Sequence, residues 1–367
     1  MNTQIQDKFT FKNGQTMRNR VVLAPMTICA SEPGGYVSQA DIDFFARRSR
    51  SVGMVITGST YVHPLGKSFA ESFSGAEDDK IEGFSRLAKA IKDQGALAIV
   101  QLYHGGRMVL PDLIDGQPVA PSAVKAPRDY LAEPRALKNS EVEQVIEDFL
   151  SAIRRAIQAG FDGVELHGAN TYLIQQFVSP HSNVRQDKWG GSLNNRLRFP
   201  KTLLKRAKQL VKEEADRPFL IGYRFSPEEI EEPGIQLYDI LQLLEQLIYH
   251  QVDYLHISTS DVWRSSIRDS QDSEPVIQKI IKKINGRVPL IGVGQIKTKQ
   301  DAQRVLDAGI PLLALGKALL LDPDWAEKVV SGREEEVIRT YRDELQADLA
   351  LPTAFVEDAR SYLEGKD

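Results

Sequence analysis

His167, Asn170 and Tyr172 fall within six consecutive positions, and together they could activate an oxygen and move a proton. Neutral imidazole and carboxamide N–H groups aimed at one point polarise a carbonyl or nitro oxygen. Three residues apart, His167 and Asn170 would face the same way in a helical turn. A phenol with an ordinary pKa of about 10 stays protonated at neutral pH and can hand that proton on. A single histidine here would more simply satisfy backbone groups at a strand end; three such residues together favour chemistry. Arg224 ends the apolar run Leu220-Ile-Gly-Tyr-Arg-Phe225, where a guanidinium requires an anion, either a carboxylate or a bound ligand. At about 4 Å and an effective dielectric near 20 that attraction is roughly 4 kcal/mol. Two glycine-containing turns, Gly292-Val-Gly294-Gln295 and Gly316-Lys317, offer backbone N–H groups to a phosphate.

These residues need elements that bring them to one place. Eight short apolar runs recur: Val21–Ala24, Met54–Thr57, Leu97–Leu102, Gly163–Leu166, Phe219–Phe225, Tyr254–Ile257, Pro289–Val293 and Leu312–Leu315. Segments of helical period separate them: Gln39–Arg50, Asp78–Asp93, Glu141–Ala159, Leu193–Glu214, Leu237–His250, Glu274–Ile284, Lys299–Ala308 and Pro323–Ser331. Ser140-x-x-Glu143 reads as a capping box, and Gly160 and Gly309 as helix stops. Strands apolar on both faces, each followed by a helix, require a parallel sheet covered by helices. Eight such units predict an α/β fold of the (β/α)8 TIM-barrel class. A doubly wound sheet is the alternative, but no Gly-x-Gly-x-x-Gly follows any strand. Asn13-Gly14 between alternating residues predicts an N-terminal β-hairpin within residues 1–19, with both turn residues at positive φ. Residues 332–367 read as a C-terminal helix and tail, and no boundary divides 1–367, so one domain is expected. In such a barrel the functional groups stand at the carboxyl ends of the strands, where Pro25-Met26-Thr27, Ser59, Gln101, His167, Arg224, Gly294-Gln295 and Gly316-Lys317 all fall.

With 46 basic and 50 acidic residues the net charge is −4, and no basic run suggests nucleic-acid binding. No apolar stretch reaches membrane-spanning length, and the first residues lack the apolar core of a secretion signal. The single cysteine, Cys29, excludes internal disulfides and cysteine-cluster metal sites. A soluble, cytoplasmic protein without a metal site is the expectation, acting on a small molecule.

Four segments carry a resemblance to the Old Yellow Enzyme family of FMN-dependent ene-reductases. They are Ala24–Thr27, Gln101-Leu-Tyr-His-Gly-Gly-Arg107, Glu165–Pro180 around His167-Gly-Ala-Asn170-Thr-Tyr172, and the polar run Arg185–Phe199 with Trp189-Gly-Gly-Ser192. The resemblance runs from about Phe9 to Ser331. It implies FMN as cofactor, NADH or NADPH as transient electron donor, and small electron-poor substrates. By the same resemblance Thr27 meets the flavin O4 edge, while Pro25, Met26 and Ser59 neighbour the isoalloxazine. Gln101 reaches the pyrimidine edge through its amide, and Arg224 stands by N1 and O2. Gly294, Gln295, Gly316 and Lys317 fall on the phosphate site. His167 and Asn170 hold the substrate oxygen, and Tyr172 donates the proton. Relatives of this type are often dimers or tetramers. Two departures stand out. Lys317 occupies a position where relatives often have arginine, and offers a point charge instead of a fork. Thr27 stands where one branch has cysteine, and Cys29, two positions on, is expected to be structural. The alternatives are a flavin-binding protein with quinone or nitro reductase activity, and a flavin-free barrel lyase acting on phosphorylated substrates.

Overall fold

In the computed structural model, which describes residues 3–365, the eight apolar runs become eight parallel strands of one closed barrel. The outermost residues of the expected hairpin and tail segments, 1–2 and 366–367, lie outside the described residues. Strands β1 (Phe9–Thr10) and β2 (Thr16–Met17) form the hairpin; β3 (Val21–Leu23), β4 (Met54–Tyr61) and β5 (Leu97–Tyr103) follow. The short parallel pair β6 (Val119–Ala120) and β7 (Arg135–Ala136) lies in the long loop after β5. Strands β8 (Gly163–Gly168), β9 (Leu220–Phe225), β10 (Tyr254–Ile257), β11 (Leu290–Val293) and β12 (Leu312–Leu315) complete the barrel, β12 pairing with β3 to close it.

The helices are α1 (Gln39–Ser49), α2 (Ile81–Asp93), α3 (Asn139–Gln158), α4 (Leu173–Val178), α5 (Leu193–Arg196) and α6 (Arg198–Glu214). After them come α7 (Leu237–Tyr249), α8 (Val276–Ile284), α9 (Lys299–Asp307), α10 (Lys317–Leu321), α11 (Trp325–Val330) and α12 (Thr353–Glu364).

The period of two along each strand sorts its residues into two cores. Val22, Ile56, Ile99, Leu220, Tyr254 and Leu312 form a buried cluster inside the barrel. Val21, Val55, Val100, Ile221 and Leu255 join the larger cluster outside, against the helices. Phe11 and Met17 of the hairpin belong to the inner cluster, so the hairpin plugs the amino-terminal end. Tyr254 fills the middle, and only a glycine can sit beside it: a Cβ on Gly222 would lie 2.0 Å from the ring carbon Cζ.

Four local expectations change. In the hairpin turn Gly14 alone takes positive φ, at 92°, and its N–H donates to the Phe11 carbonyl; Asn13 stays outside the left-handed region. This is a three-residue turn closed by glycine, not a two-residue turn. Helix α3 begins before Ser140: Glu141 accepts the N–H of Lys138 at 2.7 Å, so the cap lies two residues earlier and Ser140 is helical. Strand β4 continues through a bulge after Ile56, which carries Ser59 into the barrel wall opposite Gln101. The expected single helix 193–214 is divided into α5 and α6, and an unexpected short helix, α10, precedes α11, which occupies the expected 323–331.

Candidate active site

The inward positions of neighbouring strands carry polar groups toward the carboxyl end of the barrel. Register pairs His167 with Arg224, and Arg224 with His256, so three adjacent strands set these residues in one row. Glu165 stands one inward position deeper, next to Gln101.

His167 is a strand residue, not part of a helical turn. Its ring is buried, and Nδ1 accepts the Ala169 N–H at 3.4 Å, leaving the proton of the neutral imidazole on Nε2. Burial, then the positive charge of Arg224, keeps this ring well below the ordinary histidine pKa, so it stays a neutral donor. Asn170 follows in the left-handed region at φ 55°, as does Thr171 at 64°. A β-branched residue there is strained, and side chains hold the turn. Gln175 accepts from the Thr171 N–H, and Gln176 donates to the Thr171 and Gly105 carbonyls. Asn170 Oδ1 accepts from Ser258 Oγ at 2.7 Å, which frees its amide N–H groups to donate elsewhere.

Tyr172 lies edge-on to His167, ring centroids 5.0 Å apart, and edge-on to Tyr103 at 5.2 Å. Burial pushes its phenol up to about 12, against the opposing fields of Arg224 and Arg128. The proton therefore stays on Tyr172 at any physiological pH.

On the other side of the rim the expected residues form an arc. The Ser59 N–H donates to Thr27 Oγ1 at 3.2 Å, which leaves the Thr27 hydroxyl proton to point elsewhere. Ser59 Oγ donates to Gln101 Oε1 at 3.3 Å, and Gln101 Nε2 donates to Glu165 at 2.7 Å. Half-buried Pro25 and Met26 continue the arc to β12, where a Cβ on Gly316 would lie 3.5 Å from the Met26 sulfur. Gly294, at φ 111°, packs on the backbone of Asp261 so closely that a Cβ would come within 2.8 Å; Gln295 beside it is also left-handed, at φ 53°. Lys317 alone departs from the group. Its ammonium donates to the Tyr362 carbonyl and stands 4.5 Å from the Tyr362 ring centroid, at the end of α12. Trp263 and Arg264 are engaged in loop packing, Arg304 stacking on the indole and Arg264 meeting Thr259 and Glu228. Cys29 is half-buried, and burial followed by Asp358 and Glu71 raises its thiol pKa, which disfavours the reactive thiolate.

Arg224 shows that an anion fits. Its Nε is buried without a hydrogen-bond partner, and among the described residues no carboxylate forms an ion pair with it. An unpartnered guanidinium at the floor of a polar rim suits the electron-rich edge of a flavin, with the turns at Gly294 and Gly316 placed for a phosphate.

A sequence profile of the NADH:flavin oxidoreductase / NADH oxidase family matches residues 7–336. The chain belongs to that family. Its sequence and barrel are those of the NADH:flavin oxidoreductases of the Old Yellow Enzyme type. It is 47% identical over 340 residues to the NADH:fumarate oxidoreductase of Klebsiella pneumoniae (strain 342), covering 92% of this chain and 37% of that protein. The chain thus spans little over a third of that relative's length. It is 44% identical over 332 residues to a probable NADH-dependent flavin oxidoreductase of Bacillus subtilis (strain 168), covering 90% of this chain and 89% of the other. Among solved structures, the old yellow enzyme homologue from Zymomonas mobilis superposes with a TM-score of 0.81 at 25% identity, over 96% of this chain and 99% of that one. No helix among the described residues is long and apolar enough to cross a membrane.

Two buried titratable residues of the inner row were given no role by the motifs, Glu165, which opens one matching segment, and His256. Glu165 is fully buried and accepts hydrogen bonds from Gln101 and from His256 Nδ1, at 2.7 and 2.9 Å. The signal for both Glu165 and His256 was present: each is a titratable residue at an inward position of an otherwise apolar strand.

Proposed function

We propose that this chain holds FMN over the rim, accepts electrons from NADH or NADPH, and reduces small alkenes activated by a carbonyl, nitro or carboxylate group. The observation that carries the reading is the grouping of His167, Asn170 and Tyr172 beside an unpartnered Arg224. When bound, FMN supplies hydride transfer from nicotinamide to the β-carbon of the alkene.

The chain's own residues do the rest. His167 Nε2–H and the Asn170 amide donate to the substrate oxygen, drawing electron density off the β-carbon. Each is held by a second contact, His167 by the Ala169 N–H and Asn170 by Ser258. Tyr172 delivers its proton to the α-carbon, and the arginines at 224 and 128 stabilise the phenolate left behind. Thr27 donates to the flavin O4 edge, its oxygen fixed by Ser59. The backbone N–H groups at Gly294, Gln295, Gly316 and Lys317 receive the phosphate, while the Lys317 ammonium stays on Tyr362. The fumarate named in one relative is itself an alkene activated by carboxylates, which supports the substrate class.

One observation favours a second reading. The barrel matches only 37% of that fumarate relative, whose activity is a property of the whole protein. A barrel that oxidises nicotinamide and passes electrons to a quinone, a nitro compound or another partner would meet the same facts. Anaerobic spectroscopy of the purified protein separates the two. The flavin absorption should bleach with NADH or NADPH and return on adding 2-cyclohexenone, with one cyclohexanone formed per flavin. Recovery with quinone or nitro acceptors only would favour the second reading. Bound flavin that neither nicotinamide bleaches would refute both.

A further inference from the structure

The mechanism above leaves a buried acid–base pair unused. His256 and Glu165 are both fully buried inside the barrel, with Nδ1 and Oε2 2.9 Å apart. A carboxylate only accepts, so the neutral imidazole carries its proton on Nδ1 and presents a bare lone pair at Nε2. That Nε2 is buried with no hydrogen-bond partner. His256 stands in register with Arg224, the cation assigned to the flavin's electron-rich edge. The groups packed around it are few: Glu165 and His167 on β8, Arg224 on β9 and Tyr254 on its own strand, while β11 presents apolar Leu290 and Ile291.

Glu165 and Arg224 form no ion pair, but Glu165 lies close enough for its field to act on Arg224, so before electrons arrive their formal charges sum to zero in this pocket. Two-electron reduction of a flavin adds a negative charge to this dry pocket, where an uncompensated charge is expensive. We propose that the Glu165–His256 pair compensates it: His256 Nε2 takes up one proton from solvent as the flavin is reduced, and Glu165 holds the resulting imidazolium. This rests on the FMN reading. Nicotinamide hydride brings two electrons and one proton to the flavin, and a second proton from water forms the new N–H bond at Nε2. No bond breaks in the protein, and Glu165 remains a carboxylate. Glu165 and His256 are thus positioning residues that set the flavin's potential.

The test is the midpoint potential of the FMN-loaded protein, measured anaerobically against dyes between about pH 6 and 8.5. Two protons per two electrons make the potential fall about twice as steeply with pH as one does. The wild type should show the steeper slope, and His256→Gln, which keeps a donor for Glu165, should show about half of it. Glu165→Gln should lose the steep slope as well. A flavin that instead takes the second proton at its own N1 would leave the His256→Gln slope equal to that of the wild type, which overturns the proposal. If either variant fails to fold, imidazole nitrogen NMR of the wild-type holoprotein decides: one buried histidine should become imidazolium on reduction, and no change overturns the proposal. Protein that binds no FMN at all refutes the functional reading instead.

Discussion

His167 and Asn170 are asked to bind one oxygen through two neutral donors, and the loss of either should be felt in the alkene half-reaction. Removing one such donor is worth about 10- to 100-fold in the rate of flavin reoxidation by an enone. His167→Ala and Asn170→Ala should each show this in stopped-flow, with reduction by nicotinamide little changed. At Lys317 a small effect is expected. Its ammonium already has the Tyr362 carbonyl and ring as partners, and a half-exposed point charge contributes about 0.2–1 kcal/mol. Lys317→Ala should therefore weaken FMN binding by no more than about fivefold, measured by fluorescence titration of the apoprotein. Residue types and spacing were enough to single out His167, Asn170, Tyr172 and Arg224. They could not show that Asn170 sits in a left-handed turn held by Gln175 and Gln176, because those contacts depend on where α4 packs. Glu165 and His256 were hidden for a different reason: their importance appears only when three strands align them.

Between elements, the tightest fit is Tyr254 against Gly222, and it can be tested by a single methyl group. A Cβ at residue 222 meets three ring carbons at 2.0–2.5 Å, in a core with no room to shift. Gly222→Ala should destabilise the fold by about 1–3 kcal/mol, read from the denaturant midpoint with unchanged slope. The strands were legible because apolar runs of four to seven residues admit few other structures, and their ends came within a few residues. Helix ends were less so. Serine at 140 looked like a cap, yet Glu141 reaches the amide of Lys138, and that choice depends on Arg135 also bonding Glu141. The break at Leu197 was invisible in periodicity. Arg196 reaches the Val178 and Gly191 carbonyls while Arg198 reaches that of Lys188, so the chain bends to serve both.

At the scale of the molecule, the barrel buries histidines in neutral form, and this makes its stability depend on pH. His104 is pushed by burial to about 3, and burial lowers His167 and His256 as well. Below the ordinary histidine value near 6.5 the unfolded chain binds protons that the folded chain refuses, so stability falls as pH falls. Each such group contributes a slope of about 1.4 kcal/mol per pH unit. Asp41, raised by burial to about 6, has the opposite sign, because the folded state binds its proton first between about pH 6 and 4. Burial also lowers His250, and it raises Asp148, Glu229 and Asp253 in the same direction as Asp41. Between pH 7 and 5, where the unfolded histidines take up their protons, the urea midpoint should drop; a flat or rising midpoint would contradict the assignment of neutral buried rings. The barrel itself followed from counting eight strand–helix units, whereas the plug formed by Phe11 and Met17 did not, since nothing local marks a hairpin that closes a barrel end. The central claim is that one chain performs both half-reactions and that Tyr172 serves only the second. Stopped-flow comparison of wild type and Tyr172→Phe tests it most directly. Flavin reduction by NADH or NADPH should stay within about twofold, while reoxidation by 2-cyclohexenone should fall about 10²- to 10⁴-fold. Equal losses in both steps, or none in either, would contradict it.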